Sequence, residues 1–189
     1  MGASGYMGVT GLHARAESPL QIIESEPLPR GDRMKLHRGI ATLAGAQVLC
    51  FVLLSNLEPD FFLLHLYQSI IYIALLLLLF YSEERWAYMI GILAPAAWLV
   101  MAYSAGMLTG AVRQVLRVLT LQWPTNAVSL LAAATALLAV LMIVFCGYRW
   151  KREYAGLGKW RSTFLVSLGI VTAYYATLVI WFWRIIPQA

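Results

Sequence analysis

His65 is the one histidine set inside a long apolar run, and Gln68 and Tyr72 follow it three and seven residues later. On a helix that spacing keeps the three on nearby faces. An imidazole in such a place can ligate a haem or a chlorophyll-type pigment, or hydrogen-bond a quinone carbonyl. The simpler alternative is a hydrogen bond from His65 to a neighbouring helix. A haem held by two histidines of one copy is not expected. His37 opens the first apolar run on the opposite side of the membrane from His65, and His13 lies in the polar arm. Nothing in the sequence requires a cofactor.

The charged residues offer three further groupings. Glu58, Asp60, His65, Arg113 and Arg117 fall at one membrane face, where they could hold a lipid headgroup, dock a partner, or pair among themselves in water. Arg149, Lys151 and Arg152 fall at the other, placed to meet anionic headgroups or a partner subunit. His37 stands at the level of Glu83 and Glu84, an acid–base arrangement in geometry. No nucleophile, metal triad or phosphate-binding loop accompanies it, and ordinary headgroup-level charges explain it better.

Other features carry less. Cys50 and Cys146 have no second cysteine at C-x-x-C spacing and read as buried packing residues. Thr172, Tyr174, Tyr175 and Thr177 form a polar stripe suited to hydrogen bonds between helices. The Gly2-Ala3-Ser4-Gly5-Tyr6-Met7-Gly8 run has the look of a dinucleotide-binding turn but lacks the strand that must precede one. It also resembles the serine motif of rhomboid proteases, which requires a membrane-embedded helix end, and no apolar run is near it.

The elements that position these groups follow from hydropathy. Residues 61–81 hold no Asp, Glu, Lys or Arg, and a helix of that length crosses about 30 Å of hydrocarbon. The whole chain is 61% hydrophobic and 12% charged, with a mean hydropathy of +0.71. Five such runs predict an all-α, polytopic bundle with transmembrane helices at about 39–57, 61–81, 86–107, 126–146 and 162–186. Ala41, Gly45 and Ala46 give the first span a small-residue packing face, as do the alanines of the fourth. Pro95 predicts a kink in the third. Residues 110–122 are too short to span; Arg113, Gln114, Arg117 and Thr120 share one side, which predicts an amphipathic helix lying in the interface. Residues 1–38, polar and rich in proline and glycine, read as a cytoplasmic arm, flexible or partner-bound, without the apolar core of a signal peptide.

Charge sets the expected orientation. With the N-terminus inside, the inner segments carry five, one and five basic residues, and the outer ones only Arg113, Arg117 and Arg184. That is a positive-inside pattern with N-in and C-out. The net charge of +5 therefore points to lipid headgroups rather than nucleic acid. No Asp, Glu or Lys lies mid-span, which counts against ion-coupled pumps.

The reading put first is a non-catalytic subunit or assembly partner of a larger, energy-converting complex in a bacterial inner membrane, with other membrane subunits as partners. The alternatives are a component of a small-solute transporter, and a cofactor- or quinone-binding protein built on His65.

Overall fold

The computed structural model describes residues 30–81, 84–123, 125–154 and 160–182, and these are helical with short connections. The order is α1 (Arg30–Leu57), a 3-10 turn (Pro59–Phe61), α2 (Phe62–Phe80), α3 (Glu84–Ser104), α4 (Met107–Leu119), α5 (Ala127–Glu153) and α6 (Trp160–Phe182). Five helices are long and apolar enough to cross a membrane: α1 from Arg38, α2 with its 3-10 turn, α3 from Arg85, α5, and α6. The expected all-α membrane bundle is the fold observed.

Each spanning helix buries one stripe at helical spacing. On α5 the stripe is Ala132, Thr135, Ala139, Met142, Cys146 and Arg149. On α6 it is Thr163, Ser167, Val171, Tyr175 and Leu178. The remaining faces expose Leu, Val and Ile, as surfaces facing hydrocarbon do. Helix α3 stands at the centre, packed against α2, α5 and α6, with α1 closing the far side between α2 and α5. The core joins Phe51 of α1, Tyr72 of α2 and Trp98 of α3. The Phe51 ring stacks near Tyr72 at 5.7 Å and meets Trp98 edge-on at 5.8 Å.

Where α3 and α5 pass each other the fit depends on a glycine. A Cβ on Gly91 would lie 2.6 Å from the Cys146 sulfur and 3.1 Å from Leu75. Both cysteines are buried and free, in the packing role their isolation implied. Gly45 is different: a Cβ there would meet nothing within 4 Å. The face that α1 presents to the bundle is instead Ile40, Ala44, Gln47, Phe51 and Leu54.

Several boundaries differ from the hydropathy runs. Helix α1 starts nine residues before Gly39, at Arg30. Helix α5 continues past Cys146 to Glu153, with Trp150 stacked on Tyr154 at 5.3 Å. Helix α3 continues through Pro95 and ends at Ser104. Gly106, with φ 74°, then turns the chain directly into α4. Met107 thus belongs to α4, and Gly110 lies within that helix against Ser129 rather than opening it.

Helix α4 closes with a Schellman motif. The Gln122 N–H donates to the Arg117 carbonyl at 2.9 Å and the Leu121 N–H to the Val118 carbonyl at 3.0 Å. The left-handed residue this motif requires is Leu121, with φ 57°. Glycine adopts that conformation freely, whereas a side chain there costs on the order of 1–2 kcal/mol.

Candidate functional site

The side chains of His65, Gln68, Ser69 and Tyr72 are all buried, on the face α2 turns toward the bundle. At the head of this column, His65 Nε2 lies 3.0 Å from Glu58 Oε2. The 3-10 turn makes this possible by folding residue 58 back beside the first turn of α2. Glu58 remains part-exposed while the imidazole is nearly sealed. Its other nitrogen, Nδ1, has no hydrogen-bond partner among the described residues. Ligation of a metal through Nε2 would therefore compete with Glu58, and Nδ1, though unpartnered, is sealed from solvent.

Deeper in the bundle the column meets polar groups from other helices. Gln47 of α1, completely buried, directs its amide nitrogen to the Thr135 carbonyl of α5 at 3.4 Å. The Tyr72 hydroxyl sits beside the Gln47 amide and the Tyr175 hydroxyl without the geometry of a hydrogen bond to either. Tyr175 donates to the Ala94 carbonyl of α3 at 3.2 Å. Gln47 Oε1 and Tyr72 Oη are left without partners among the described residues. A buried polar atom in that state costs about 1–3 kcal/mol. Five spans thus contribute polar groups to one mid-membrane locus. Gln47, its centre, is the residue sequence reasoning passed over. A lone amide in an apolar run was the only signal it gave.

Tyr175 also forms part of a second feature. Between α3 and α6 runs an open groove of about 550 Å³, walled by Ala96, Ala97, Val100, Thr172, Ala176 and Val179. Thr172 thus faces this groove, and Thr177 bonds back to the Ala173 carbonyl of its own helix at 2.9 Å. Of the expected polar stripe on α6, only the tyrosines reach other helices. Tyr174 bonds Tyr67 of α2, and Tyr175 bonds α3.

The expected outer charge grouping divides. Glu58 pairs with His65, and Asp60 is exposed. Arg113 and Arg117 are exposed on α4, which packs chiefly on α5 and α3. Arg117 Nη1 donates to Thr125 Oγ1 at 2.7 Å. Gln114 does not share their side: it is buried and bonds both the Thr125 hydroxyl and its N–H at 3.1 Å.

At the opposite end, Arg149 is completely buried and ion-paired with Glu153 one turn on. It faces the protein interior, while Lys151 and Arg152 remain exposed. Arg152 donates to the Tyr148 hydroxyl at 3.0 Å. The side chains of His37 and Glu84, and all of Glu83, lie outside the described residues. Among the described residues no group of three or more His, Cys, Asp or Glu side chains is arranged to hold a metal ion.

Comparison with protein-family models, with curated proteins and with solved structures finds no match to this chain.

Proposed function

We propose that the chain is a non-catalytic integral-membrane subunit or assembly partner of a larger complex, set in a bacterial inner membrane and serving energy conversion. The observation that carries this reading is the α3–α6 groove. Its walls are apolar and its alanines, Ala96, Ala97 and Ala176, are small enough to let a second backbone approach closely. In hydrocarbon, close backbone approach and van der Waals fit drive helix association, because the apolar effect gives no advantage over lipid. The occupant is a transmembrane helix of a partner subunit. In this reading the N-terminus is cytoplasmic, as the basic inner segments favour, and Lys151 and Arg152 face anionic headgroups or a partner on that side.

The test is purification of the tagged native protein in mild detergent, with a photo-crosslinking residue at Ala176 in the groove or at Val144, exposed on α5. Stoichiometric co-purification and a crosslink from position 176 that is absent from 144 are expected. A solitary monomer with no adduct from position 176 would overturn the reading.

A second reading is favoured by the unpartnered buried atoms of Gln47, Tyr72 and His65. A lipophilic molecule bearing hydroxyl groups, such as a quinol, could donate to Gln47 Oε1 and accept from the Tyr72 hydroxyl. Its signature is a molecule extracted from the purified wild-type protein and lost in Gln47→Leu. Recovery of that molecule in equal amount from both proteins would remove this reading. Solute transport has no comparable observation in its favour, since Phe51, Tyr72, Trp98 and Met142 fill the centre of the bundle.

A further inference from the structure

Helix α4 is anchored to the bundle through little of its surface. Of its side chains only Ala111 and Gln114 are buried, while Val112, Leu116 and Leu119 point outward, 58%, 56% and 73% exposed. The turn that follows continues this outward apolar face with Leu121 at 95% and Trp123 at 91%. Leu121 does so from the left-handed conformation, at a position where glycine would be free of strain. Observed strain of this kind points to a role for the side chain it presents. The conformation is held by the Gln114 amide and Arg117 guanidinium, which both fasten on Thr125 and tie the turn back against α4.

Beside the apolar face lie Arg113 and Arg117, one helical turn apart and both exposed. Acidic side chains are missing from this part of the sequence: none occurs from Arg85 to Arg152. Two guanidinium groups next to a rigid apolar ridge match the chemistry of a lipid phosphate above its acyl chains. Arginine is well suited to that contact because its planar fork meets phosphate oxygens in pairs.

We infer that α4 and the turn at residues 120–123 form a binding site for an anionic phospholipid of the surrounding leaflet. Arg113 and Arg117 take the phosphate, and Leu119, Leu121 and Trp123 seat against the acyl chains. The latch to Thr125 keeps ridge and cations in one register. A disordered basic loop would attract headgroups in general, whereas a fixed geometry retains one lipid.

The test is native mass spectrometry of the full chain in detergent, titrated separately with dioleoyl phosphatidylglycerol and dioleoyl phosphatidylcholine. Wild-type protein is expected to retain one phosphatidylglycerol about tenfold more tightly than phosphatidylcholine. Soluble glycerol phosphate at millimolar concentration should not displace it, because the apolar ridge contributes to retention. Arg113→Gln with Arg117→Gln should remove the headgroup preference. Leu121→Gly should melt at a higher temperature, having lost the strain, yet hold both lipids several-fold less tightly. Circular dichroism establishes that each variant is folded. Equal retention of the two lipids by wild type, displacement by glycerol phosphate, or undiminished preference in the double arginine variant would each overturn the assignment. So would unchanged retention in Leu121→Gly.

Discussion

Tyr67 and Tyr174 stack ring on ring with centroids 4.5 Å apart, and each hydroxyl donates to the other residue's backbone carbonyl. This reciprocal clasp joins α2 to α6, two helices that otherwise touch little. Hydrogen bonds between membrane helices average roughly 0.6 kcal/mol. Phenylalanine keeps the stacked ring and both carbonyl acceptors, so each hydroxyl can be removed on its own. Tyr67→Phe and Tyr174→Phe are expected to cost about 0.5–1 kcal/mol each. Unfolding in mixed detergent micelles measures this.

Gly91 and Cys146 give a sharper test of packing. Ala at position 91 places its methyl group against the Cys146 sulfur, which is fully buried and has little room to move. Overpacking of this kind costs about 1–3 kcal/mol. Cys146→Ala removes the obstructing atom, so Gly91→Ala should be far better tolerated in that background. Thermal melts of the four proteins complete the cycle. If the second substitution brings no rescue, the contact between α3 and α5 is not the limiting one.

Glu58 and His65 predict an asymmetry. Removing His65 frees a carboxylate that is already part-exposed and can regain water. Removing Glu58 leaves both nitrogens of a sealed imidazole without described partners. Glu58→Ala should therefore destabilise by about 1–3 kcal/mol. His65→Phe, which fills the space with an apolar ring, should cost less. Chemical denaturation of the two variants side by side decides it, and the reverse order would contradict the pairing.

Arg149 supplies a fourth expectation. A buried ion pair is often no more stabilising than apolar side chains of similar volume, whereas loss of one partner is costly. Arg149→Met combined with Glu153→Leu, which replaces the pair as a whole, should be close to neutral, whereas Arg149→Met alone or Glu153→Gln alone should destabilise, compared by melting temperature. A large loss in the double variant would instead assign the guanidinium an indispensable structural role.

The spans were legible because hydrocarbon demands long runs without charge, and residues 61–81 state that demand openly. Their ends were not, because hydropathy marks where lipid contact stops and backbone hydrogen bonding need not stop there. At Cys146 the apolar run is over, yet the helix continues for two turns, with Trp150 stacked on Tyr154. Of the candidate site, the His65, Gln68 and Tyr72 column could be read because all three lie on one helix. Its meeting with Gln47, Thr135 and Tyr175 could not, since that depends on which helices are neighbours. Gln114 shows the same limit: the wheel groups it with the arginines, and only the turn at Thr125 draws it inward.

Helices α1 and α5 have 28 and 27 residues, hence lengths of about 40 Å, and they pack along one another. The hydrocarbon core is roughly 30 Å thick. Running antiparallel, the two carry their surplus turns on the same side, α1 at Arg30 and α5 at Glu153. The surplus lies at the end where the shorter α2 and α3, of 19 and 21 residues, meet, so the two long helices raise a step on that face of the bundle, within reach of the headgroup layer.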